Sequence, residues 1–165
     1  MPRNTSRSKI SHTTLKTFTK SMLAVSLSIA GISHASAYDS VTFFGDSLTD
    51  GGYFSQVVPG PAQFTTNPDN TWATSFAEQL GTTAVPVVFG SPQIGNNYAI
   101  GGARAGEEAA FPGGIPIASA NSQVDSYLAN NTVDPNGLYV VWAGANDLLA
   151  AAEDSANAQA IILGA

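Results

Sequence analysis

Phe43-Phe44-Gly45-Asp46-Ser47-Leu48-Thr49-Asp50-Gly51 decides how this chain is read, because it sets one serine at the exit of a strand, where a nucleophile can face solvent. Residues 40–44 are apolar and mostly β-branched or aromatic, which suits a buried strand, and Gly45 breaks the extended run. Open α/β sheets hold their ligands at such strand exits. Taken alone, Gly-Asp-Ser also fits a plain turn with a capping residue.

Two further stretches repeat the pattern. Asn97-Tyr98-Ala99-Ile100-Gly101-Gly102-Ala103 predicts a short strand running into paired glycines, where a backbone N–H can approach a ligand without a Cβ in the way. Leu138-Tyr139-Val140-Val141-Trp142-Ala143-Gly144-Ala145-Asn146-Asp147 is a nearly continuous apolar run that ends in a glycine turn bearing an amide. In a parallel sheet the three exits share one edge, so Ser47, Gly102 and Asn146 are expected to converge.

These three blocks, in this order, resemble those of the GDSL esterases and lipases, the SGNH hydrolases, over roughly residues 41–150. Gly45-Asp46-Ser47-Leu48 matches the first block, Gly102 falls on the glycine of the second, and Gly144-Ala145-Asn146-Asp147 reproduces the Gly-x-Asn-Asp third block. The resemblance implies a three-layer αβα, flavodoxin-like fold with a mostly parallel sheet. It also implies Ser47 as nucleophile, with the Ser47 N–H, the Gly102 N–H and the Asn146 amide as oxyanion-hole donors. Donors of this kind are worth about 10²–10³ in rate each. Two alternatives stay open at this stage: Gly102 as a plain turn glycine and Asn146 as a helix cap. Asp46 and Asp50 are expected to brace the turn. The Gly-x-Ser-x-Gly elbow of ordinary α/β-hydrolases is absent from the sequence.

A serine hydroxyl needs a base to take its proton, and the family draws that base from a late Asp-x-x-His motif. The chain has no such motif, so a catalytic Asp and His are not assigned; its two histidines are His12 and His34. It has no cysteine, which excludes a thiol nucleophile, a cysteine-ligated metal and a disulfide.

Both histidines lie in what reads as a signal peptide over residues 1–37. Arg3, Arg7, Lys9, Lys16 and Lys20 form the basic region, residues 22–32 the apolar one, and Ala35-Ser36-Ala37 an A-x-A cleavage pattern before Tyr38. The apolar stretch is short for a membrane span, the alternative being an uncleaved anchor. Cleavage would leave Arg104 as the one cation against twelve acids, a net charge of −11. Such a surface repels nucleic acid and anionic membranes.

Residues 38–165 read as one α/β domain without internal repeats, the N-terminal part of the hydrolase domain. A Pro-, Asn- and Thr-rich loop over 59–70 precedes a helix marked by Trp72, Phe76 and Leu80 and closed by Gly81. Residues 85–89 suggest a strand, 90–96 a turn, and 106–116 a flexible loop near the site. Val124, Tyr127 and Leu128 mark a helix ending near Asn130, before the Asp134-Pro135-Asn136-Gly137 turn. Leu148, Ala152, Ala156, Ala160 and Leu163 form an apolar stripe that predicts one long C-terminal helix, whose sequel is expected beyond Ala165. Trp72, Trp142 and Tyr98 are expected to pack in the core rather than line an acyl or sugar pocket. With no phosphate loop, no dinucleotide fingerprint and no calcium-loop spacing, neither a cofactor nor a metal is expected.

The expectation is therefore an exported serine ester hydrolase acting on a small-molecule or lipid ester. Its leader, acidity and blocks are similar to those of the catalytic passengers of bacterial autotransporter esterases, which implies membrane attachment through a C-terminal β-barrel. A stand-alone secreted esterase would carry the same leader, and the alternative to an enzyme is a secreted binding or adhesion module, or an inactive gene fragment, that keeps the fold without the triad.

Overall fold

The six residues Ser40–Gly45 (β1) alternate their side chains between two packed faces, and the whole architecture follows from that alternation. A computed structural model describes residues 37–56, 70–87 and 94–165. The signal-peptide reading of residues 1–37, the loop over 59–70 and the second half of the 85–89 strand fall largely or wholly outside these residues.

β1 pairs in parallel with Gly137–Trp142 (β4) along its full length, from Ser40 opposite Gly137 to Gly45 opposite Trp142. On its other side β1 receives the extended segment 96–100. Phe43 N–H donates to Asn96 O, Tyr98 N–H to Phe43 O, and Ile100 N–H to Gly45 O. That segment pairs in parallel with residues 85–87 in turn, through Asn97 N–H to Val85 O and Val87 N–H to Asn97 O. The pairings of β1, β4, the segment 96–100 and residues 85–87 are all parallel, the last two through isolated bridges.

One face of this sheet carries Val41, Phe43, Leu138 and Val140 against Trp72–Gln79 (α1), which buries Ala73 and Ala77. Phe43 meets the edges of Trp72 and Phe76 at ring separations of 5.7 and 6.4 Å, the T-shaped geometry that aromatic quadrupoles favour. The opposite face carries Phe44, Tyr98 and Tyr139 against Ala120–Asn130 (α2), through Val124 and Tyr127. The result is the three-layer αβα arrangement. Thr71 caps α1 and Ser119 caps α2, each accepting the N–H three residues on.

Three details differ from expectation. Residues 106–116 are not simply a loop: Ala109–Phe111 (β2) and Ile115–Ile117 (β3) form an antiparallel hairpin. Pro112 and the positive-φ Gly113 make its turn, closed by Gly114 N–H donating to Phe111 O. The C-terminal stripe is two helices, Ala145–Glu153 (α3) and Ala158–Leu163 (α4). Between them the Asp154 carboxylate takes the Asn157 N–H and side-chain amide, a local bond that competes with helix continuation. The stripe itself is exposed, and α3 buries Asp147 and Ala151 instead. Trp142 is half-exposed, although its ring still lies 5.6 Å from that of Trp72. Tyr98, stacked on Phe44, is core as expected.

Candidate active site

Ser47 sits in the turn that leaves the C-terminal end of β1, with its side chain partly exposed. The turn is made by its neighbours. Gly45 has φ +146°, and a Cβ there would run into the Trp142 carbonyl oxygen, so only glycine ends the strand this way. The Asp46 carbonyl accepts from the N–H groups of Thr49 and Asp50, both at 3.0 Å, and its Oδ1 accepts from Leu48 N–H. Asp46 and Asp50 thus brace the turn. The Ser47 N–H has no hydrogen-bond partner among the described residues.

Buried polar side chains stitch this turn to the second block. Asp50, almost wholly buried, accepts from the N–H groups of Gly52 and Tyr53 on one oxygen and of Gly101 on the other, at 2.7–2.8 Å. Asn97 donates through Nδ2 to Thr49 O at 2.8 Å. Gly102 follows directly, at φ +85°, and its N–H also has no partner among the described residues. Ile117 of the hairpin packs on its Cα side, with Phe111 just beyond. The hairpin thereby forms one wall beside the second block, sharing a cluster with Tyr53, Ile100 and Ala103.

The third block is stitched to the second. Asn146 stands in the first turn of α3 but does not cap it: the N-cap is Gly144, without any side-chain cap. Its Nδ2 donates to Ala103 O at 2.8 Å. Asp147, next along, is buried and takes the Ala105 N–H at 2.9 Å and Arg104 Nε at 3.4 Å. The three blocks are therefore tied to one another in sequence, first to second through Asp50 and Asn97, second to third through Asn146 and Asp147.

Electrostatically the floor of the site is acidic. Burial pushes the carboxyls of Asp46 and Asp50 above their ordinary range, against the lowering pull of the N–H groups that bond them. For Asp46 the nearby Asp147 adds to the upward push. Burial and the Asp50 charge push the Tyr53 phenol up to about 12. Among the described residues no group of three or more His, Cys, Asp or Glu is placed to hold a metal ion.

Three residues that matter here are given no role at the site by the sequence alone. Gln123 of α2, buried, accepts from Gly45 N–H at 2.8 Å and donates to Gly45 O at 2.9 Å, clasping the end of β1. Its signal was a polar residue on the buried side of a helix otherwise marked by Val124 and Tyr127. Asp147 and Arg104 are the others. Asp147 stands in the third block and Arg104 is the single cation after position 37, but neither is given a role by the sequence alone.

A family model described as GDSL-like lipase/acylhydrolase matches residues 41–162. Lipase 1 of Photorhabdus luminescens is 39% identical over 153 residues, covering 88% of this chain and 21% of its own length. Esterase EstA of Pseudomonas aeruginosa and Esterase EstA of Pseudomonas putida are each 31% identical over 171 residues, covering 82% of this chain and 26% of theirs. The chain thus spans about a fifth to a quarter of the length of these relatives.

Proposed function

The chain belongs to the GDSL-like lipase/acylhydrolase family, and from that membership we propose that it supplies the nucleophile and oxyanion hole of an exported serine ester hydrolase. Ser47 Oγ attacks the ester carbonyl. The oxygen that becomes negative receives the Ser47 N–H, the Gly102 N–H and the second N–H of the Asn146 amide. Collapse expels the alcohol, and water then releases the acyl group from Ser47. The observation that carries this reading is the pair of N–H groups, at Ser47 and Gly102, without partners among the described residues, on loops that buried carboxylates hold in place. Donors fixed in advance by the fold cost no reorganisation when charge develops.

The base comes from elsewhere, because residues 38–165 contain no histidine. We assign it to an Asp-x-x-His segment of the gene product outside these residues, as the family resemblance implies. The leader would direct export, and a C-terminal β-barrel would hold the protein at the outer membrane. Cell fractionation tests that last point: activity confined to the culture medium would contradict it.

The lack of histidine in residues 38–165 also favours a second reading, a binding module that keeps the fold without catalysis. Substitution separates the two. In the complete gene product Ser47→Ala should remove nearly all hydrolysis of a short-chain p-nitrophenyl ester, a loss of roughly 10⁶ in kcat for a triad serine. Asn146→Ala should lower kcat by about 10²–10³ with KM within a few-fold. An active Ser47→Ala protein contradicts the assignment.

A further inference from the structure

We propose that Asp147 and Arg104 form a buried latch that fixes the Gly102 loop against the start of α3, making both positioning residues for the hydrolysis proposed above, on which this inference rests. Three bonds join the two segments. Asn146 Nδ2 donates to Ala103 O at 2.8 Å, Ala105 N–H to Asp147 Oδ2 at 2.9 Å, and Arg104 Nε to Asp147 Oδ1 at 3.4 Å. Asp147 is 1% exposed, so its charge needs partners, and both come from the loop that carries Gly102. Asp147 also lies in the first turn of α3, where the helix dipole favours an anion.

Solubility does not account for Arg104. It is the single cation in residues 38–165, among twelve acids, yet its side chain is 16% exposed and lies between Asp147 and Glu107, the latter 2.7 Å from Nη1. Its Nη2 is buried without a hydrogen-bond partner among the described residues. In this proposal neither residue touches the reacting atoms, and their effect reaches the ester through the Gly102 N–H and the Asn146 amide. A donor pair misplaced by about 1 Å can cost roughly 10²-fold in rate.

The test uses the complete gene product and a p-nitrophenyl ester. Asp147→Asn should lower kcat by roughly 10²-fold with KM within a few-fold. Arg104→Met should lower kcat by a smaller factor, and Arg104→Lys should restore part of it. Combining Arg104→Met with Asn146→Ala should cost much less than the product of the two single losses, because the latch acts through the amide already removed. Full multiplication of the losses, or folded Asp147→Asn and Arg104→Met proteins with unchanged kcat, would overturn the latch. Failure of both to fold, where Asn146→Ala folds, would assign the pair to stability alone and overturn it equally. A parent protein that neither turns over the ester nor takes a fluorophosphonate on Ser47 removes the ester-hydrolase assignment, and the latch with it.

Discussion

Asp46 stands directly before Ser47 with one carboxylate oxygen bonded to the Leu48 N–H and the other buried without a partner among the described residues. Burial and the neighbouring Asp147 favour its neutral form, so the folded protein holds that proton more tightly than the unfolded chain, whose ordinary value is 3.8. The sign follows from linkage: where the folded state binds more protons, stability falls as pH rises. Asp46 therefore stabilises most below its unfolded pKa, and that contribution is lost as pH rises through the raised folded value. Asp46→Asn keeps the Leu48 bond and removes the charge. Thermal midpoints measured from pH 4 to pH 8 should show the variant gaining on the parent as pH rises and then levelling; a constant difference across that range would contradict the account.

The elements divide by how far their causes are local. β1 is legible in sequence because a strand buried on both faces must be apolar almost throughout, β4 because its apolar run ends in a glycine turn, and α1 because Trp72, Phe76 and Leu80 recur at the helical spacing. The hairpin is not, since three-residue strands show no alternation and Phe111-Pro112-Gly113-Gly114 reads as loop until its packing on Gly102 is seen. The break in the C-terminal helix is not legible in the apolar stripe because it is made by polar residues off that stripe, through two side-chain bonds from Asn157 to Asp154. Within the site, Ser47, Gly102, Asn146 and Asp147 stand in readable motifs, whereas the bonds that Gln123, Asp147 and Arg104 make reach partners 42 to 78 positions away and are not legible from spacing. Gln123 gives the element-scale prediction. Gln123→Ala strands the N–H of Gly45 under α2, while the Gly45 carbonyl keeps the Ile100 N–H, and should destabilise by about 2 kcal/mol. Urea unfolding checks it, and an unchanged midpoint would show that α2 does not hold the end of β1.

At the scale of the whole molecule, the three blocks lie beside one parallel sheet and are tied together by buried side chains, and residues 38–165 contain no histidine to act as the base of the proposed site. Carboxylates such as Asp50 are committed to backbone N–H groups and are weak bases in any case. Residues 38–165 expressed alone should therefore hydrolyse a p-nitrophenyl ester at or near background even when circular dichroism shows them folded. Turnover on the order of 10 per second, ordinary for an enzyme, would reveal a base within these residues and contradict the assignment of that role to an outside Asp-x-x-His segment. The most direct measurement of the central claim is covalent: treat the complete gene product with a fluorophosphonate and locate the adduct by mass spectrometry. The account predicts a single adduct on Ser47, lost in Ser47→Ala and slowed by a competing ester; a folded, ester-hydrolysing protein with Ser47 unmodified would contradict it.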